Sequence, residues 1–242
     1  MTPLEDVALH HISGAMRVSL KRLVEKSQED AIDDPADYWV DLVASALNGM
    51  PLLWPPMVDS GQSPLPFEAP HRIETEVYLV GSSGLLGGPT LDVLLQVWFE
   101  TESMNAAFGI PLLVRRVPSF GPVPRAIWDE RRETALRLNE ITPCGRLLLL
   151  GHPDPFGAKP HHVISEAPLY VLSTILAARM TDPPRGLSGV ILEHFAYDFA
   201  SGWIGDPVLS GGRKSPELNA FLSYFDTARI LRIRIRKVTT WT

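Results

Sequence analysis

Residues 144–162 read CGRLLLLGHPDPFGAKPHH, and three of the chain's seven histidines fall within eleven residues of this stretch. Imidazole nitrogens and a carboxylate are zinc ligands, so His152, Asp154, His161 and His162 are the first candidates for chemistry. The spacing does not define a site. The helical zinc-protease pattern H-E-x-x-H is absent. His161 and His162, adjacent in a strand, would face apart, and only a turn would let them converge. Pro153, Pro155 and Pro160 hold the segment extended. It reads as a proline-stiffened exit from a buried strand, and no metal is expected. A metal-dependent enzyme using this loop stays open as an alternative.

The second constellation is RILRIRIRKV at 229–238. Leu231, Ile233 and Ile235 alternate with Arg232, Arg234 and Arg236, the period of a strand with one apolar and one cationic face. At about 3.3 Å rise per residue the three guanidiniums stand about 7 Å apart. Arg229 and Lys237 flank them. Like charges at this spacing repel, so the row needs a counterpart. Glu74 and Glu76 of a neighbouring strand could supply it. Phosphate of a nucleic acid or a lipid could equally do so, because the planar guanidinium binds phosphate in bidentate fashion. Arg229, Arg232, Arg234, Arg236 and Lys237 are the candidate polyanion-binding residues.

Other chemistries lack their constellations. No serine sits in a G-x-S-x-G elbow. The glycines of GSSGLLGG at 81–88 match neither a phosphate loop nor G-x-G-x-x-G. His194 lies beside Glu193, but adjacent strand residues face apart. Cys144 is the single cysteine, which excludes an intrachain disulfide and a cysteine zinc site, and it reads as a small packed residue. No catalytic residue and no cofactor are expected.

The elements that must position these residues are legible in outline. Residues 4–28 read as an amphipathic helix, with Val7, Ile12, Met16, Leu20, Leu23 and Val24 on one side and Arg17, Lys21, Arg22 and Lys26 on more polar faces. Residues 33–49 give a second helix, capped by Asp34, with Pro35 in its first turn and Asn48-Gly49 at its end. Six prolines in 51–70 exclude a regular helix or a central strand and indicate polyproline II segments, either a linker or a docking motif. Trp54, Pro55 and Pro56 are its candidate docking residues.

RIETEVYLV at 72–80 is a strand with Ile73, Thr75, Val77 and Leu79 opposite Arg72, Glu74, Glu76 and Tyr78. GSSGLLGG then reads as a hairpin or a strand-to-helix turn. PTLDVLLQVWFE reads as a helix capped by Thr90, with Leu91, Leu94, Leu95 and Trp98 as its stripe. IPLLVRRV is a strand, VPRAIWDERRETALRLNE a charged helix with Glu133 four before Arg137, and GRLLLLG a buried strand. SEAPLYVLSTILAARM reads as a helix with a β-rich first half, GVILEHFAYDF as a strand and PELNAFLSYF as a helix. The expected fold is α+β: an antiparallel sheet with helices on one side, preceded by an N-terminal helical segment. The expected parts are a helical segment at 1–50, a proline-rich linker at 51–70 and a core at 71–242.

Charge is polarised along the chain. The net is −6, yet residues 1–50 hold four basic and nine acidic groups, whereas residues 213–242 hold seven basic and two acidic ones. Screening confines each field to about 8 Å at physiological salt, so a locally basic face survives on an acidic protein. No apolar run approaches a membrane span, and the N-terminus has no secretory pattern. A cytoplasmic location is the default.

The order of these pieces resembles the matrix proteins of rhabdoviruses, of the vesiculovirus type. The matching segments are WPP at 54–56, IETEVYLV at 73–80, LDVLLQVW at 91–98, IPLLVRRV at 110–117, CGRLLLLGHPDPFGAKP at 144–160 and VILEHFAYDF at 190–199. Coverage is about residues 54–200. Two features depart from that pattern: the N-terminal 50 residues are acidic where the family carries a lysine-rich arm, and Val58 stands where a P-P-x-Y motif has tyrosine. The resemblance implies a non-enzymatic structural protein that self-associates, binds ribonucleoprotein or RNA and an anionic membrane surface, and supports assembly and budding. It implies a location in the virion and in host cytoplasm or at the inner face of a host membrane, and host partners docking on the proline-rich segment. An intracellular adaptor working through that segment is a further alternative.

Overall fold

The computed structural model describes residues 3–29, 32, 34–52, 71–81, 90–101, 104–116, 124–150, 169–183, 198, 204–212, 214–225 and 227–237. Two helices come first, α1 (Pro3–Glu29) and α2 (Pro35–Leu47). Strands β1 (Pro51–Leu52), β2 (His71–Gly81), β3 (Leu91–Glu100) and β4 (Asn105–Arg116) follow. Helix α3 (Arg125–Ile141) leads to β5 (Arg146–Leu150), β6 (Leu169–Ser173) and the short α4 (Thr174–Arg179). A 3-10 turn (Pro207–Ser210), α5 (Pro216–Leu222) and β7 (Thr227–Lys237) complete the described chain.

The seven strands form one sheet in the order β1-β2-β7-β3-β4-β5-β6. The α+β class holds, but the sheet is mixed rather than antiparallel: β7 runs parallel to β3, and β4 parallel to β5. The second of these pairs is joined by α3, the crossover that a parallel pair requires. Strand β7 inserts between β2 and β3, so these two are not neighbours in the sheet; the glycine-rich stretch between them lies outside the described residues apart from Gly81.

Helices cover both faces of the sheet, not one. On one face Leu9, Ile12 and Met16 of α1 and Trp39, Val43 and Leu47 of α2 pack with Ile73, Val97, Ile110 and Ile233. On the other, Trp128 and Leu138 of α3, Ala177 of α4 and Leu218 and Phe221 of α5 pack with Leu94, Leu113, Leu147 and Ile230. The N-terminal helices are therefore a layer of the sheet's own core.

This two-sided burial explains the one element of the wrong type. Residues 91–100 are strand β3, not a helix. Val93, Leu95, Val97 and Phe99 enter one core cluster and Leu94 enters the other. A strand buried on both faces loses its alternation and cannot be told from a buried helix by period. Residues 169–179 divide into β6 and α4 at Ser173, whose hydroxyl accepts the Leu176 N–H as the helix cap. The segment 189–199 lies outside the described residues apart from Asp198, which is helical.

Helix α2 follows its sequence signals. One Asp34 oxygen accepts the amide hydrogens of Ala36 and Asp37 at 3.0 Å, and Gly49 takes the left-handed conformation (φ 76°) just past the end. The exit is tied to β2: Gly49 N–H donates to Ile73 C=O, Met50 C=O accepts Ile73 N–H, and the Asn48 side chain accepts Thr75 N–H. Asp34→Ala is expected to cost about 1–2 kcal/mol, a cap loss at the upper end, since the other carboxylate oxygen also meets Arg229 at 3.3 Å. A lower urea midpoint at unchanged slope is the readout.

Candidate functional site

The arginine row resolves into a ladder across three strands. In register, Arg232 lies between Glu76 and Gln96, Arg234 between Glu74 and Trp98, and Arg236 between Arg72 and Glu100. All these positions share a face by strand alternation, opposite the α1–α2 face. The expected counterparts Glu74 and Glu76 are in place, and Glu100 is a third. Arg236 donates to Glu74 at 2.6 Å and Arg234 to Glu100 at 2.7 Å. Arg232 and Arg234 approach Glu76 at 3.4 and 3.5 Å, and Arg72 pairs with Glu74.

Arg232 is the buried hub. Its side chain donates to Gln96 Oε1 at 2.9 Å, Tyr78 Oη at 2.6 Å and Gly211 C=O at 3.3 Å. Gln96, fully buried, donates in turn to Leu209 C=O at 2.6 Å. That contact holds the 3-10 turn over β3 and β4. The turn sits so close to β4 that a side chain at Gly109 would meet the Leu209 carbonyl. The Trp98 ring lies beneath two guanidiniums, 4.6 Å from Arg232 and 5.5 Å from Arg234, a cation–π arrangement.

Charge is unequal along the ladder. Arg72 and Arg236 stand directly opposite each other and share the single carboxylate of Glu74. Burial opposes ionisation of Glu74, but the hydrogen bonds and charges of Arg236 and Arg72 outweigh it and hold the carboxyl below its ordinary value. The Arg72 and Arg236 side chains are 41% and 40% exposed. Among the described residues four arginines thus meet three glutamates, and the excess cation lies at the Arg72–Arg236 end.

The five cations expected as one row divide between two faces. Arg229 turns to the α2 side, where it meets Asp34 at 3.3 Å and Asp37 at 2.9 Å. Lys237 has the same parity as Arg229, so strand alternation separates it from Arg232, Arg234 and Arg236. His152, Asp154, His161, His162, Trp54, Pro55 and Pro56 lie outside the described residues. Among the described residues no three His, Cys, Asp or Glu side chains are grouped to hold a metal. Cys144 is partly buried; burial pushes its thiol up, against the Thr142 hydrogen bond and the Arg146 charge. The thiol stays protonated at neutral pH, as befits a packed residue.

The sequence reading missed Gln96, Trp98 and Glu100, because a helix at 91–100 scatters them around its circumference. Read with period two, Leu94, Gln96, Trp98 and Glu100 fall on one face. It also missed Asp92. This carboxylate accepts Val114 N–H at 2.6 Å and Arg131 Nη1 at 3.0 Å, joining β3, β4 and α3. A lone aspartate in an apolar run was the available signal of a buried partner. Asp92, Asp34, Val114 and Arg115 border a cleft of about 400 Å3 beside the start of α2. The carboxylates there are engaged internally, Asp34 as cap and Asp92 with Arg131.

No protein-family model, curated protein or solved structure matches the chain. The fold and the ladder define an α+β protein with a paired charge network on a sheet face. No helix among the described residues is long and apolar enough to cross a membrane.

Proposed function

We propose that the chain is a non-catalytic assembly protein of the matrix type, which associates with copies of itself and attaches to phosphate-bearing surfaces, ribonucleoprotein and anionic membrane. The observation that supports attachment is the Arg72–Arg236 end of the ladder. Two opposed arginines share one carboxylate, and both side chains are partly exposed. An incoming phosphate relieves their repulsion without breaking the Glu74 bonds, and the guanidinium fork suits its oxygens. Arg232 is buried within the ladder and Arg229 is bound to α2, so neither takes part in the attachment; Arg234 sits between Glu76 and Glu100 and contributes field rather than contact.

Co-sedimentation with vesicles of phosphatidylserine and phosphatidylcholine, and fluorescence titration of single-stranded RNA, test this at about 50 and about 200 mM salt. Binding is expected to weaken with salt. Arg72→Gln with Arg236→Gln is expected to flatten the log–log slope of RNA binding by about 1.4, the loss of two phosphate contacts on a single strand. Absence of binding to both ligands at the lower salt, or an unchanged slope in the folded double variant, refutes the attachment. Vesicle binding without RNA binding, or the reverse, identifies which phosphate source is used.

A further inference from the structure

We infer that two copies of this chain associate through the outer edge of β2, pairing Val77–Leu79 antiparallel with the same three residues of the second copy. The inference rests on the assembly reading for its biological use and not for its geometry. The inner edge of β2 pairs with β7 along its whole length without a register shift. Ile73 sends its N–H and C=O outward to Met50 and Gly49, and Thr75 sends its N–H outward to Asn48. Alternation then turns the backbone groups of Val77, Leu79 and Gly81 outward too. Among the described residues nothing meets them: β1 pairs only with His71 and Arg72.

Two residues of this edge, Val77 and Leu79, present apolar side chains to solvent, while Tyr78 and Val80 pack on the opposite face. Leu79 is 65% exposed and Val77 40%. Edge strands of monomers are normally blunted by charge, proline or a bulge. Val77-Tyr78-Leu79-Val80-Gly81 has none of these.

A second copy fits this edge by register. With a two-fold axis at Tyr78, Val77 lies opposite Leu79 of the second copy, and Leu79 opposite its Val77. Both are outward-bonding positions, so each pair exchanges two backbone hydrogen bonds. Apolar side chains meet apolar ones on one face. The charged neighbours do not collide, because Glu76 falls beside Val80 of the second copy and the two Glu76 residues are about 13 Å apart along the strands. Closure of the edge at 73–75 by the α2–β1 connection sets where the pairing stops.

Mixed cross-linking tests the register. Val77→Cys and Leu79→Cys chains, each also Cys144→Ala and one carrying a size tag, are combined and oxidised. Opposed residues of an antiparallel pair lie within disulfide range, whereas Val77 and its own copy are two residues out of step. A mixed disulfide between the two chains, with little from either alone, is the expected result. No mixed product, or Val77→Cys linking to itself as readily, overturns the register. Sedimentation velocity gives the second arm: a dimer for the native chain and a monomer for Leu79→Lys, whose fold is checked by circular dichroism. A monomeric native chain, or a dimer surviving Leu79→Lys, overturns the inference. Arg72→Gln with Arg236→Gln leaves the dimer intact. Lost vesicle and RNA binding by an intact dimer therefore bears only on the attachment reading.

Discussion

Asp92→Ala is expected to destabilise the fold by about 3–5 kcal/mol, the cost of removing one partner from a buried ion pair. Arg131 is 5% exposed, and its Nη1 donates to Asp92. Its Nε has no hydrogen-bond partner among the described residues, with Glu130 only at 3.7 Å. Without Asp92 the guanidinium stays buried and poorly paired, and Val114 N–H loses its acceptor. Urea unfolding of Asp92→Ala, Arg131→Met and the double variant gives the coupling. The double variant is expected to lose less than the two single losses together, because no charge is left stranded. Additive losses would mean that the two side chains act independently.

The pair also has a pH signature. Burial raises the Asp92 carboxyl above its ordinary 3.8, against the Arg131 charge, the Val114 N–H and the Arg115 charge. As pH rises from 3.8 toward the folded-state value, the unfolded chain releases this proton first. The contribution of Asp92 therefore falls across that window and levels off above it. Asp92→Asn has no such fall, so the difference between the two stability–pH curves isolates it.

Arg232→Gln is expected to cost about 2–4 kcal/mol, from lost charge-assisted hydrogen bonds in a dry setting and from the stack on Trp98. The side chain bonds Gln96, Tyr78 and Gly211, so its loss loosens the 3-10 turn as well as the sheet face. Arg232→Lys is expected to recover little, since an ammonium cannot reproduce the planar fork. A loss under about 1 kcal/mol would place Arg232 among weak surface pairs and contradict its role as a hub. The consequence for function is direct. If the proposed attachment holds, a charge-neutralising change at Arg232 is expected to act on it through the fold, which is why Arg72 and Arg236 are the positions that report on contact.

Much of this was legible in the sequence because it is local. The alternation of β2 and β7 fixes their faces, and Asp34, Pro35 and Asn48-Gly49 bound α2 through the backbone groups that they satisfy. The alternation offered Glu74 and Glu76 as one counterpart of the arginines, with phosphate as the other, and only the adjacency of β2 and β7 shows the pairing. β3 was not legible, because burial on both faces erases the period that separates strand from helix. With β3 read as a helix, Gln96, Trp98 and Glu100 could not be seen as members of the same face.

The amino-acid sequence by itself determined the charge polarity of the chain, the ends of α2 and the faces of its two most regular strands. Each of these depends on neighbours within one turn or one strand. Only the tertiary structure decided that β7 enters between β2 and β3, that Arg229 leaves the row to hold α2, and that Arg72 and Arg236 share one carboxylate at one end of the ladder. Those outcomes depend on which strands become neighbours, and neighbours are chosen by the burial of both sheet faces together.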